Sequence, residues 1–127
     1  MASNLTVDTL TKGATTLNTD ELVDVNNTRV CKAWVNFNGT GTVAIRASFN
    51  TSSITDNGAG DYTINFTTAL SDADYSTTGM SGGVNTGYVL GVYSSAAPPS
   101  TTAVRVGNFK AGVGLADEAY INVTVFR

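Results

Sequence analysis

Residues 30–50 read VCKAWVNFNGTGTVAIRASFN, and their pattern gives the strongest indication of the fold class. Apolar side chains occupy every second position from Cys31 to Phe37, which is the period of a β-strand with one buried face. Asn38-Gly39 follows, and an Asn-Gly pair between alternating runs is the strongest short signal for a hairpin turn. The alternation resumes beyond the turn, so residues 30–50 predict an antiparallel hairpin. The residues predicted to share one face of the returning strand are Val43, Ile45, Ala47 and Phe49.

The chain after residue 50 continues in the same pattern. Residues 52–55 and 62–67 alternate on either side of the Asn- and Gly-containing turn 56–61, which predicts a second hairpin. Short helical structure is expected only at residues 71–74. Further strands are predicted over residues 75–81, 84–94, 102–109 and 119–126. Short strands at such spacings predict an all-β fold, an antiparallel β-sandwich or jelly-roll-like domain over residues 29–127.

Residues 1–28 differ from the rest because their apolar side chains are few and widely spaced. Such a segment buries too little apolar surface to offset its ordering entropy alone, so we expect it to order against a partner. It is predicted to be an extended N-terminal arm or β-stem used for docking and oligomerisation. The residues expected to carry this docking are Leu5, Val7, Leu10, Leu17 and Leu22.

The composition excludes several classes of partner. Charged residues make up 13% of the 127 residues, the net charge is −3, and the seven Lys and Arg residues are scattered singly. Nucleic-acid binding draws its affinity from clustered cations, so it is not expected. No apolar run long enough to cross a bilayer is present, and the N-terminus lacks the pattern of a secretory signal. We expect neither membrane insertion nor export by a signal peptide.

The sequence offers little for catalysis, because it contains no histidine. A Ser-His-Asp arrangement is therefore excluded, together with the commonest zinc ligand. Two carboxylate pairs, Asp56 with Asp61 and Asp72 with Asp74, have the residue types of a glycosidase pair. We interpret them as turn residues, because a catalytic pair needs a walled cleft to separate the two pKa values. No catalytic residue, metal site or cofactor is predicted.

The aromatic residues leave two interpretations open. Tyrosine and tryptophan side chains can form a surface on which sugar rings stack, but more often they pack in a core or an interface. The alternation alone does not separate these roles. The residues concerned are Trp34, Tyr62, Tyr75, Tyr88, Tyr93 and Tyr120.

Three segments carry a resemblance to a known class of protein: KAWVNFNGTGTVAIR at 32–46, SSITDNG at 52–58 and GDYTINF at 60–66. Together they resemble a module common in tail-fibre and virion structural proteins of tailed phages, especially marine ones. LTVDTL at 5–10 is similar to a short tag that precedes this module. The resemblance implies a non-enzymatic structural protein on the surface of a tailed-phage virion, made in the host cytoplasm. It transfers no functional residue, because the shared segments are strands and turns.

Two functions follow from this resemblance. In the first, a homotrimeric tail-fibre-type protein docks on another virion structural protein through its arm and presents loops to a host-surface glycan or protein. In the second, a head-decoration or cement protein stabilises the capsid shell. A depolymerase of host polysaccharide is a third hypothesis, disfavoured by the lack of histidine. The loop residues expected to contact a ligand are Asp72, Asp74, Asn85, Tyr88 and Pro98.

Overall fold

The computed structural model describes residues 9–12, 15–18, 30–83, 88–95 and 97–127. The chain divides into two units, residues 1–30 and 31–127. The regular secondary structure of the described residues consists entirely of β-strands. Within them no helix has the length and apolar character that crossing a membrane requires.

The first unit contains two short strands. Strand β1 (Thr9–Lys12) pairs antiparallel with β2 (Thr15–Asn18), so that Leu10 lies opposite Leu17. The sequence predicted an extended segment here, and the strand pair is consistent with the β-branched threonines that fill it. The other predicted docking residues, Leu5, Val7 and Leu22, lie outside the described residues. The docking role of this unit stays a prediction.

The second unit is a β-sandwich of two antiparallel sheets, as predicted. The first is a four-stranded sheet whose order is β4-β3-β11-β7. Its central strands, β3 and β11, come from opposite ends of the unit and pair along most of their length. The strand bounds are β3 (Cys31–Asn38), β4 (Ala44–Phe49), β7 (Ser76–Gly82) and β11 (Tyr120–Phe126).

The second sheet has five strands, with β6 between β5 and β9, and with β8 and the short β10 both paired to β9. Both predicted hairpins are confirmed, since β3 pairs antiparallel with β4 and β5 with β6. The strand bounds are β5 (Thr51–Gly58), β6 (Asp61–Phe66), β8 (Tyr88–Val92), β9 (Ala103–Lys110) and β10 (Gly114–Leu115).

The core lies between the sheets and follows the alternation in the sequence. Every second side chain of β3 and β11 is buried against those of β6 and β9, while the intervening side chains point outward. Phe37 and Tyr62 meet edge to face across the core, with ring centroids 5.1 Å apart. The buried apolar residues are Ala33, Val35, Phe37, Tyr62, Ile64, Phe66, Val104, Val106, Ile121, Val123 and Val125.

The predicted common face of Val43, Ile45, Ala47 and Phe49 is wrong. The pairing of β3 with β4 shifts by one residue, so that Ala47 lies opposite Asn36 whereas Ile45 lies opposite Phe37. An extra residue at such a β-bulge reverses the alternation, which divides the predicted face between the two sides of the sheet. All of β4 is also exposed, because it is an edge strand.

Residues 71–74 form no helical turn. They are bends, in which a carboxylate oxygen of Asp72 accepts a hydrogen bond from the backbone N–H of Asp74 at 2.9 Å. An aspartate that bonds the backbone two residues further on competes with helix formation, and this explains the difference.

Candidate functional site

The side of the four-stranded sheet that points away from the core, here called the outer face, is rich in aromatic and amide side chains. On β3 it presents Trp34 and Asn36, and on β11 it presents Tyr120 and Asn122. The exposed fraction is 38% for Trp34 and 53% for Tyr120, both large values for aromatic residues. The alternation that buries the neighbours of these residues therefore also exposes a candidate binding surface.

A polar network fixes the side chains on this face. The guanidinium of Arg46 reaches across β3, where it donates a hydrogen bond to Asn36 Oδ1 at 3.5 Å and lies 4.4 Å from the ring centroid of Tyr120. Asn36 in turn donates its Nδ2 to Asn122 Oδ1. Because the oxygen of Asn122 is engaged, its amide nitrogen remains as a donor with no partner among the described residues.

An open depression of about 710 Å³ lies at the end of the outer face where β11 begins. Tyr120 and Asn122 form part of its wall, and Glu118 contributes an acidic group that is only 3% exposed. One carboxyl oxygen of Glu118 accepts a hydrogen bond from the N–H of Ala119 at 3.0 Å. The lining residues are Thr40, Met80, Ser81, Gly82, Gly83, Glu118, Ala119, Tyr120 and Asn122.

The loop before β11, residues 116–119, is anchored to the core through Asp117. Asp117 Oδ1 accepts hydrogen bonds from the Tyr62 hydroxyl and from the backbone N–H of Gly60, both at 2.7 Å. Burial, together with the Asp117 carboxylate, raises the pKa of Tyr62, so the hydroxyl stays protonated and acts as the donor. The core thereby holds the loop that carries Glu118.

Two further contacts tie this loop to both sheets. The backbone N–H of Gly39 donates to the Glu118 carbonyl oxygen at 3.0 Å, and the N–H of Ala116 donates to the Asn108 carbonyl oxygen at the same distance. The buried Asn108 side chain returns a hydrogen bond to the Ala116 carbonyl oxygen at 2.7 Å. Because these hydrogen bonds already hold the loop that lines the depression, ligand binding costs little further conformational entropy.

The structure does not bring the predicted ligand-contact residues into one site. Asp72 and Asp74 share one bend, where Asp72 forms an ion pair with Arg127. The backbone N–H of Asp74 and, to a smaller extent, Arg127 lower the pKa of Asp72. A carboxyl group with a lowered pKa is a poor general acid near neutral pH, so Asp72 is not suited to that role.

The other predicted ligand-contact residues lie elsewhere in the fold. Tyr88 is partly buried at the start of β8, with the Lys110 ammonium 5.6 Å from its ring centroid. Pro98 is exposed in the loop between β8 and β9. Asn85 lies outside the described residues. Their role in binding stays a prediction.

Asp61, a member of the other carboxylate pair, is held by Arg105. The guanidinium binds both carboxylate oxygens, with Nε to Oδ1 at 2.7 Å and Nη2 to Oδ2 at 2.6 Å. The hydrogen bond from Arg105 lowers the pKa of Asp61, and burial opposes that shift only in part. Asp56, its proposed partner, accepts a hydrogen bond from the N–H of Gly58 in the hairpin. Both aspartates thus have structural contacts.

The ion pair between Asp61 and Arg105 leads to a prediction about how the stability of the protein changes in acid. Because the folded protein lowers the pKa of Asp61 below its ordinary value of 3.8, the stabilisation is fully present above that value. It is lost as the pH falls through the lowered pKa. We expect Asp61→Asn to lower the free energy of unfolding most near neutral pH, and the difference from wild type to disappear in strong acid. Urea unfolding of both proteins at a series of pH values from neutral to acidic measures this difference in the free energy of unfolding.

A matched control for this experiment is Asp74→Asn, since Asp74 is exposed and forms no ion pair with a described residue. The control is expected to leave the pH dependence of stability close to that of wild type. A difference between Asp61→Asn and wild type that stays constant down to strong acid would contradict the role given to the ion pair.

The six aromatic residues considered from the sequence do not form a single surface. Tyr62 is fully buried, and the Tyr75 hydroxyl lies 3.0 Å and 3.1 Å from two carbonyl oxygens beside β9, which share its one proton. Only Trp34 and Tyr120 share the outer face of the four-stranded sheet. Sequence reasoning missed Glu118, Asn122 and Arg46, although the alternation of β11 gave a signal for Asn122 beside Tyr120.

Comparisons with known proteins found no match to this chain. No model of a known protein family matches the chain, and no curated protein sequence or solved structure is significantly similar to it. Among the described residues, no group of three or more potential metal ligands comes together.

Proposed function

We propose that this chain is a non-enzymatic attachment module on the surface of a tailed-phage virion, of the tail-fibre type. The observation that carries the proposal is the pair of central strands, β3 and β11. Their inner side chains form the core, and their outer side chains present aromatic and amide groups to solvent. A rigid sheet with fixed binding groups is suited to recognition at a surface.

The setting in a phage particle rests on the resemblance of residues 32–66 to virion modules. Those residues form β3 to β6, so the resemblance covers two hairpins of the sandwich. Asp61 and Asp72, each a member of a carboxylate pair with the residue types of a glycosidase, are engaged in ion pairs. These contacts favour a structural role for both aspartates over acid–base chemistry.

The proposal is tested on purified particles of a tailed phage that encodes this chain. Quantitative mass spectrometry is expected to find the chain in the particle at a few to a few dozen copies, as a tail position requires. Added purified protein is expected to slow adsorption of the phage to its host, because it occupies the receptor. The matched control is protein with Val89→Ala, a change at an exposed residue of the other sheet, and it is expected to slow adsorption as much as the unaltered protein.

Two results would overturn the proposal. Absence of the chain from purified particles would remove the virion setting. Hundreds of copies per particle, with adsorption unaffected by added protein, would assign the chain to capsid decoration instead.

A further inference from the structure

We infer that the depression beside Tyr120 is a carbohydrate subsite that receives one pyranose ring of a neutral, hydroxyl-rich glycan. This inference rests on the proposed attachment function and names the ligand class. It depends on the meeting of an aromatic ring, an amide donor and a carboxyl acceptor around one depression. The three residues are Tyr120, Asn122 and Glu118.

The aromatic ring supplies the apolar contact. Arg46 lies over one face of the Tyr120 ring, and Tyr120 also lines the depression. We expect a sugar there to stack on the other face of the ring. The face of an aromatic ring is electron-rich and attracts the weakly positive C–H groups on one face of a pyranose. Because Arg46 holds the ring, stacking requires little loss of side-chain freedom.

The polar groups of the depression complement hydroxyl groups. Asn122 has an amide nitrogen without a described partner, and Glu118 uses one carboxyl oxygen for a single hydrogen bond from Ala119. A carboxylate accepts several hydrogen bonds, and a sugar hydroxyl both donates and accepts. The sugar therefore accepts from Asn122 and donates to Glu118. Glu118 is 3% exposed, so only a small part of its carboxyl group faces the depression, and little water has to be removed from that part on binding.

Two other occupants fit the depression less well. A cationic ligand would be attracted by Glu118, but the guanidinium of Arg46, which already lies over the Tyr120 ring, would oppose its contact with that ring. A second copy of the chain needs an interface of roughly 800 Å² per partner, far more than a depression of this size contributes. One sugar ring would fill part of the depression, where its apolar face meets the mostly apolar lining and its hydroxyl groups meet the Asn122 amide and the Glu118 carboxyl group.

The test is an NMR titration of the ¹⁵N-labelled full chain with glucose, galactose, mannose, rhamnose and N-acetylglucosamine. For one ring, binding on the order of millimolar is expected from the small number of ligand atoms. At least one sugar is expected to shift the amide signals of residues 80–83 and 118–122. Tyr120→Ala and Asn122→Asp are each expected to weaken that binding by at least about fivefold.

The variants are chosen to isolate the contacts. Asn122→Asp keeps an oxygen acceptor for Asn36 and replaces the free amide donor with a charged acceptor of nearly the same shape. Phe126→Ala is the matched control, because Phe126 is 40% exposed at the opposite end of β11, about 20 Å from Tyr120. It is expected to leave sugar binding unchanged. The amide spectrum of each variant reports whether it is folded.

Three outcomes would overturn the inference. The first is that no sugar shifts these signals, and the second is that lysine amide shifts them while the sugars do not. The third is association of the chain that depends on concentration and is abolished by Tyr120→Ala. Failure of this inference leaves the proposed function standing if the chain is found in particles at tail copy number. Sugar binding by a chain absent from particles would remove the proposed function alone.

Discussion

Tyr62→Ala is expected to lower the free energy of unfolding by about 3–5 kcal/mol, the usual loss for truncating a large buried aromatic residue. Tyr62 is fully buried at the centre of the core and packs edge to face on Phe37. The change removes this packing and also the hydroxyl that holds Asp117. Chemical denaturation followed by the fluorescence of Trp34, the single tryptophan, measures the loss.

Tyr62→Phe separates the two contributions. It keeps the ring and removes the hydroxyl, which donates its one proton to Asp117 at 2.7 Å and also lies 3.0 Å from the Gly39 carbonyl oxygen. We expect it to cost about 1–3 kcal/mol, the range for a buried hydrogen bond to a charged group. Equal losses for the phenylalanine and alanine variants would show that the ring contributes nothing, contrary to the packing described.

Gly60→Ala is the second substitution with a large expected effect. Gly60 adopts a φ of +65°, and a Cβ atom there would lie 2.3 Å from the backbone nitrogen of Ala116. The change adds left-handed strain to a clash with backbone that cannot rotate away, so we expect a loss of about 2–5 kcal/mol. It also displaces residues 116–119, and sugar binding at Tyr120 is expected to weaken in the same variant.

Gly41→Ala is the matched control for that experiment. Its φ of +63° is almost the same as that of Gly60, but no heavy atom lies within 4 Å of the added Cβ. It should therefore show the cost of the backbone conformation alone, about 1–2 kcal/mol. If both variants lose the same stability, the close approach of the loop to Gly60 is not structurally important.

The strands of the sandwich were predictable because the residues that specify each strand are close together in the sequence. Alternation from Cys31 to Phe37 gave the strand and its buried face, and Asn38-Gly39 gave the approximate place of the reversal, which runs over residues 39–43 with positive φ at Gly41. The bulge that splits the face of β4 was not predictable, since residues 43–49 alternate without a break and only pairing with β3 reveals the shift.

The candidate site was predictable only in part. The outward position of Tyr120 follows from the alternation of side chains along β11. Which residues surround Tyr120 depends on the pairing of strands that are far apart in the sequence. Gly82 lies opposite Tyr120 because β7 and β11 are adjacent, and Arg46 reaches the ring from β4 across β3. No local pattern encodes which strands are adjacent, so sequence reasoning placed the site on loops instead.

The pairing of β3 with β11 has a mechanical consequence. Cys31, where β3 begins, lies opposite Phe126, where β11 ends, and Tyr120 lies at the far end of the same ladder. Tension applied between Cys31 and a ligand held at Tyr120 would run along the strands and stress all the ladder bonds together. Tension between Cys31 and Phe126 would peel the strands apart one bond at a time. The sandwich is thus expected to resist being pulled from a bound surface better than being pulled at its two ends.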